Sequence, residues 1–356
     1  MPDDPKKIVV VGSYNTDLVA FCDRLPREGT SVRGGEFNIS GGGRGANCAV
    51  AAARAGCEVT FVGACGKDPF GQMAKDLMEK EPITLDYFVE LPNINTGVCL
   101  GMIDQHTGKY LLLGARSAND LLTPEMVDKA AQEINEADLV FVQLEIPPKT
   151  VWHVLKICEN LGIPAILHAS PISAIDELPP NNVLAVVLDQ WEALQLTSTP
   201  DAAAAAKKLH ALGCQNVFML NDFKEVISSD SKSMLSTLLP PDRVLDCCGS
   251  AECFTAWAGL SLINGQSSQE AAEMGARAMK HSLSRAGGHS GMPYRGEILA
   301  SLAPVKSQAY KIPEYEPGFR DRRTGPPDRR MPQRPSKKAI SPLANLAKNI
   351  FRIKPS

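Results

Sequence analysis

Ile8-Val9-Val10-Val11-Gly12-Ser13-Tyr14-Asn15-Thr16-Asp17, followed at 40–47 by Ser-Gly-Gly-Gly-Arg-Gly-Ala-Asn, is the stretch from which the fold is read. The β-branched run ending at Val11 suits a parallel strand buried on both faces. The glycines at 41–43 and 45 open an Ala-rich helical pattern. They leave backbone N–H groups at a helix N-terminus open to an oxygen-rich ligand. Similar apolar runs recur at 59–63, 139–142, 165–167, 183–188 and 217–220, separated by helical patterns such as 44–55, 147–161 and 202–212. This alternation predicts an α/β fold with a mostly parallel central sheet flanked by helices and joined by right-handed crossovers. The segments 18–38 and 96–114 break the rhythm, with strand-like runs close together. They read either as a small sheet serving as a lid or as edge hairpins of the main sheet.

The chain has 356 residues, 44% hydrophobic and 22% charged, enough for one large α/β domain or two ordinary ones. No run of about 18 apolar residues occurs, and Met1 to Lys7 is charged with no apolar segment before the first strand. Neither a spanning helix nor a signal peptide is expected, and the default compartment is the cytoplasm. None of the ten cysteines falls in a C-x-x-C pair and no two histidines have H-x-x-x-H spacing, which argues against a structural metal site. The segment 318–356 carries eleven Lys/Arg against two Asp/Glu, although the whole chain has a net charge of −3. A basic, Pro- and Arg-rich tail at 313–356 is therefore set apart from a domain at 1–312 and is expected to be mostly disordered. Within it, Leu343, Leu346, Ala347 and Ile350 have helical spacing, so 341–353 is a candidate basic amphipathic helix, either docked on something or unfolded when alone. Its partner is unknown, and it lacks the interleaved aromatics that would stack nucleic-acid bases.

Gly41, Gly43 and Ala46 satisfy the G-x-G-x-x-A dinucleotide pattern. That fingerprint should follow the first strand directly, and here the strand runs instead into Gly12-Ser13-Tyr14-Asn15-Thr16-Asp17. The order strand, Gly-Ser-x-Asn-x-Asp, then Gly-Gly-Arg-Gly-Ala-Asn resembles the ribokinase family, and the resemblance extends over about residues 7–303. It implies a ribokinase-like fold and a sugar site at Asn15, Asp17, Gly43, Arg44, Asn47 and Glu145. Carboxylates that accept from vicinal hydroxyls, with amides that donate and accept, suit a furanose. Arg44 replaces the family's lysine, exchanging a compact ammonium for a planar fork.

The phosphate side departs further. The family's Asp-Thr-x-Gly-Ala-Gly-Asp corresponds to Asp246-Cys247-Cys248-Gly249-Ser250-Ala251-Glu252. The resemblance implies an anion hole at Gly249, Ser250 and Ala251 and a general base at Glu252. The extra methylene of Glu252 moves its oxygens by about 1 Å, and Ala251 is harmless only where its φ is negative. Asp189-Gln190-Trp191-Glu192 stands for the family's Asn-x-x-Glu, with Glu192 expected to organise Mg²⁺ through water. Leu220 to Glu225 stands for Thr-x-Gly-x-x-Gly with both glycines gone, leaving Asn221 and Lys224 as candidate nucleotide contacts beside Asp189. The resemblance also implies ATP as co-substrate, a monovalent cation such as K⁺ near Asp246 and the 286–290 loop, and a homodimer through the lid.

Clustered Cys247, Cys248 and Cys253 read either as buried small hydrophobes or as a redox switch. His168, at a strand end where a ribokinase usually has Asn, either faces the cleft or is a satisfied core histidine. Two functions follow: an ATP-dependent sugar kinase acting on a primary hydroxyl of ribose or a related sugar, with activity possible at a reduced level, or a catalytically inactive sugar-binding pseudokinase.

Overall fold

In a computed structural model, the protein is described at residues 5–302 and 306–311, apart from 108, 173–177 and 179–181. The described residues all fall within one compact unit. The tail and its candidate helix at 341–353 lie outside the described residues.

Fourteen strands are described: β1 (Lys7–Val11), β2 (Asn15–Cys22), β3 (Gly34–Gly42), β4 (Glu58–Gly66), β5 (Ile83–Leu91), β6 (Gly97–Asp104), β7 (Tyr110–Ala115), β8 (Leu139–Gln143), β9 (Ala165–His168), β10 (Val183–Asp189), β11 (Cys214–Asn221), β12 (Glu225–Ser229), β13 (Met234–Leu238) and β14 (Lys306–Ala309). The large sheet has the order β14-β13-β12-β11-β10-β9-β8-β1-β4-β5. From β11 to β5 every pairing is parallel, whereas β12, β13 and β14 add on antiparallel. This antiparallel edge is absent from the sequence reading.

Alternation along β1 builds two cores. Ile8 and Val10 pack with the helices Arg44–Arg54, Ser250–Ile263 and Ser268–Leu283 on one face, and Val9 and Val11 pack with Pro148–Leu161 and Ala202–Ala211 on the other. The chain leaves β1 toward β4 on one side and returns through β8 on the other. The carboxyl end of β1 is therefore the switch point at which open α/β sheets bind ligands.

The small sheet is four-stranded, in the order β3-β2-β6-β7. It begins three residues before the segment read from sequence, so Asn15 and Asp17 lie on its strand β2. Register puts Asp17 opposite Ser40 and Cys99, and Leu18 opposite Ile39 and Leu100. Leu100 in turn faces Leu113, and Met102 faces Leu111. One face therefore carries the cleft residues and the other two apolar rows, in which Leu113 is 66% and Phe37 61% exposed. Among the described residues no helix is long and apolar enough to cross a membrane.

Candidate active site

The helix Arg44–Arg54 starts at Gly43, whose φ of 88° is left-handed and whose Cα sits so close to Tyr14 and Asn15 that a Cβ would lie 2.5 Å from the Asn15 nitrogen. Glycine is what lets this helix end abut the β1–β2 corner. There Glu145, just past β8, gathers donors from both sides. Its Oε2 accepts from Ser13 Oγ at 2.7 Å, the Arg44 backbone N–H at 3.1 Å and Asn15 Nδ2 at 3.4 Å. Asn119 locks Asn15 in turn, donating from Nδ2 to Asn15 Oδ1 at 2.9 Å while its Oδ1 accepts from the Tyr14 N–H. Gln143 braces Ser13 and the Glu145 backbone.

The Arg44 guanidinium spans the floor of the cleft. Nε is 3.5 Å from Glu145 Oε1, and NH1 is 3.0 Å from Glu252 Oε1 and 3.2 Å from His168 Nε2. His168 Nδ1 lies 3.4 Å from the same Glu252 oxygen. Burial raises the Glu252 carboxyl above its ordinary value against the pull of Arg44. Burial, then Arg44, holds the His168 imidazole well below its ordinary value. Of the two sequence readings of His168, the contacts place it at the site, although it is as buried as a core residue. Burial first, then Glu145, Asp246 and Glu252, push Asp17 up to about 8. Asn47 is buried with no partner for its Oδ1 among the described residues.

Glu252 sits in the first turn of Ser250–Ile263, whose N-cap Gly249 is left-handed at φ 75°. Ser250 closes that turn by donating to the Cys247 carbonyl at 2.8 Å. Ala251 is helical, outside the left-handed residues, so its methyl strains nothing. Asp246 ties the turn to the 286–290 loop directly: Oδ1 accepts from the Cys248 N–H at 2.9 Å and Oδ2 from the Gly287 N–H at 2.8 Å. Cys253 is buried, but Cys247 and Cys248 are only half-buried, which corrects the reading of all three as core hydrophobes. A hydrogen bond to Cys247, then burial, pushes the Cys248 thiol up, away from a reactive thiolate.

On the nucleotide side several expected contacts are already engaged. Glu192 Oε1 accepts from Ser170 Oγ at 2.9 Å and the Ile172 N–H at 3.3 Å, and Oε2 from the Asp189 N–H, closing a capping box on the helix Gln190–Thr197. A divalent ion carried on nucleotide phosphates keeps several waters and needs few protein ligands. With three donors already on Glu192, the residues fit such a metal through water rather than by direct ligation. Burial, then Glu192, pushes Asp189 up to about 6.

Asn221 donates to Glu225 Oε2 at 2.9 Å, and Ser236 donates to the other Glu225 oxygen. This folds Glu225 back onto β13. The turn between β11 and β12 keeps left-handed backbone at Asp222 (φ 48°) and Phe223 (φ 59°) with the Lys224 N–H bonded to the Asn221 carbonyl, a type I′ geometry made without glycine. Lys224 is exposed on that turn.

The structure thus brings Asn15, Arg44 and Glu145 together with Glu252, with Asp17 and Asn47 buried beside them; Asp189 and Glu192, at the end of β10 and the start of the next helix, are near enough to interact electrostatically with Arg44, and Asn221 and Lys224 sit at the turn after β11. Sequence reasoning missed Ser13, Asn119 and Gln143 as supports. Asn119 meets its partner across 104 residues, and nothing in its local pattern marks it.

The sequence profile of the pfkB family carbohydrate kinases matches residues 5–295. A ribokinase of Bacillus subtilis is 29% identical over 304 residues, covering 84% of this chain and all of the relative. An Arabidopsis thaliana ribokinase solved with ribose and ATP superposes with a TM-score of 0.72 at 25% identity, covering 83% of this chain and 98% of that one. A Giardia lamblia ribokinase matches in fold with a TM-score of 0.72.

Proposed function

This chain belongs to the pfkB family of carbohydrate kinases, ATP-dependent transferases, and from that premise we propose that it phosphorylates a primary hydroxyl of ribose or a related pentose. The observation that carries the reading is the convergence of Glu145 and Glu252 on Arg44, which joins the sugar-side network to the turn at Gly249. Asn15, Asp17, Asn47, Glu145 and the Gly43–Arg44 corner hold the sugar. Asp17, pushed up to about 8, carries a proton at neutral pH and donates as well as accepts. The sugar oxygen attacks the γ-phosphorus as its proton passes to Glu252. The bond from that phosphorus to the β,γ-bridging oxygen breaks and ADP leaves with the electron pair. Backbone N–H groups of Gly249, Ser250 and Ala251 take the developing charge. Asp189 and Glu192 would hold Mg²⁺ through water, and the ion would supply charge neutralisation on the phosphates. Lys224 and Asn221 flank the nucleotide, and the small sheet excludes water.

A monovalent cation such as K⁺ belongs by the same reading beside Asp246. The apolar rows on the outer face of the small sheet support a homodimer through it. A cytoplasmic location fits ATP as co-substrate and ten unpaired cysteines. One observation favours the alternative of an inactive sugar-binding pseudokinase: Asp222 and Glu225 stand where nucleotide-lining glycines are expected, and Asn221 is spent on Glu225.

The test is ribose-dependent ADP release with Mg²⁺ and K⁺, run beside Glu252→Gln. Turnover that disappears in the variant supports the kinase. Absence of turnover in both, with ribose still raising the melting temperature, replaces it by the pseudokinase.

A further inference from the structure

We propose that His168 is a positioning residue that holds the Glu252 carboxylate in line with the attacking sugar hydroxyl; the proposal rests on the kinase reading above. A guanidinium only donates, so Arg44 NH1, 3.2 Å from His168 Nε2, makes that nitrogen an acceptor. A neutral imidazole has one N–H, which then sits on Nδ1, 3.4 Å from Glu252 Oε1. Arg44 NH1 reaches that same oxygen at 3.0 Å. The three side chains close a ring, and both contacts to the carboxylate fall on Oε1. One oxygen is thus approached from two directions, by NH1 and by the imidazole.

A glutamate has one more rotatable bond than an aspartate, so a base on this longer arm needs external fixing. A misplacement of about 1 Å at the reacting atoms is worth on the order of 100-fold in rate. His168 is suited to supply that fixing because it is the last residue of β9, paired with Gln143 of β8 and Val187 of β10. The ring is delivered by the interior of the large sheet rather than by a loop, which sets its position narrowly. Arg44 reaches the carboxylate through NH1 alone, and the imidazole on β9 adds a second direction of contact that this single nitrogen does not supply. The 3.4 Å contact is of the length that tightens when substrate closes the site. During transfer His168 keeps its proton, and Glu252 receives the proton of the sugar hydroxyl and later releases it to water.

The experiment has two arms on the full chain. In the first, nitrogen-15 NMR reads the His168 tautomer, expected to be neutral with the proton on Nδ1 and to shift in Glu252→Gln. A proton on Nε2 overturns the proposal. In the second, ribose-dependent ADP release is compared for wild type, His168→Ala and His168→Asn, each first shown by its melting curve to be folded. An asparagine amide places an N–H near the position of Nδ1. The alanine variant is expected to lose about 10- to 100-fold in kcat with the ribose KM unchanged, and the asparagine variant to recover most of it. Full kcat in the alanine variant, a loss confined to KM, or an asparagine no better than alanine overturns the proposal. A wild-type chain without sugar-dependent turnover defeats the kinase reading and the catalytic role together, and the tautomer still decides whether the contact itself stands.

Discussion

Replacing Arg44 by methionine keeps much of the side-chain volume and removes the one cation bonded to both Glu145 and Glu252. The Arg44 side chain is 27% exposed, Glu145 22% and Glu252 6%. The pairs are thus mostly shielded, and leaving a buried carboxylate without its partner is strongly destabilising, by about 3–5 kcal/mol for full burial. Partial exposure brings the expectation to about 3 kcal/mol at pH 8, or a fall in melting temperature of roughly 5–10 °C. The sign of the pH dependence follows from Glu252, whose carboxyl burial already raises and Arg44 opposes. Without Arg44 the folded-state value climbs further from the unfolded one, so the folded variant binds protons that the unfolded chain has released. Its stability therefore falls as pH rises above the unfolded value, and the deficit against wild type is larger at pH 8 than at pH 5. Thermal melts of both proteins at the two pH values measure this. A deficit below about 0.5 kcal/mol at pH 8, or one that is equal at pH 5, refutes the argument that Arg44 holds two buried carboxylates.

Three other outcomes are expected. Asp17, pushed up to about 8, has a folded value above its unfolded one, so its own contribution to stability is lost as pH rises from about 4 to about 8; the stability of wild type minus that of Asp17→Asn is expected to fall across that range in thermal melts. Gly249→Ala puts a methyl on a φ of 75°, 2.8 Å from Met292 Cε. It should cost roughly 1–3 kcal/mol in a thermal melt and depress ADP release more than sugar binding. Phe37→Asp with Leu113→Asp charges both apolar rows of the small sheet and is expected to leave monomers in sedimentation analysis where wild type gives dimers; identical sedimentation refutes the proposed interface.

Six strands of the parallel sheet were legible because each is a short apolar run, as at Ile8 to Val11, bounded by a helical period, while β5, whose ITLDYFVEL interleaves polar residues, was missed. The glycine-rich turn at 41–45 was legible as a helix start, whereas Asn15 and Asp17 were singled out only through the resemblance of Gly-Ser-x-Asn-x-Asp to the ribokinase motif. The antiparallel edge was not. β12, β13 and β14 are rich in Ser, Thr and Lys, and the turn that starts them uses Asp222 and Phe223 where a glycine would have announced it. Nor could a carboxylate in a sequence say what it accepts. Glu192 reads as a phosphate organiser, yet in the fold it caps its own helix and receives Ser170. The linkage of Arg44, His168 and Glu252 was invisible for a related reason: each residue stood out by itself, but the contacts join positions 124 and 208 residues apart.

Strand β2 separates the cleft from the outer apolar rows by a single backbone. Asp17 looks one way and Leu18, its immediate neighbour, the other. A subunit that grips Leu18, Ile39 and Leu100 grips the same ribbon that carries Asn15 and Asp17, so quaternary contact and sugar occupancy share one mechanical element. Thermodynamic reciprocity then applies: whatever factor the sugar adds to self-association, self-association returns to sugar affinity. On the proposed dimer and sugar site, sugar concentration would enter into assembly, and protein concentration into how tightly sugar is held.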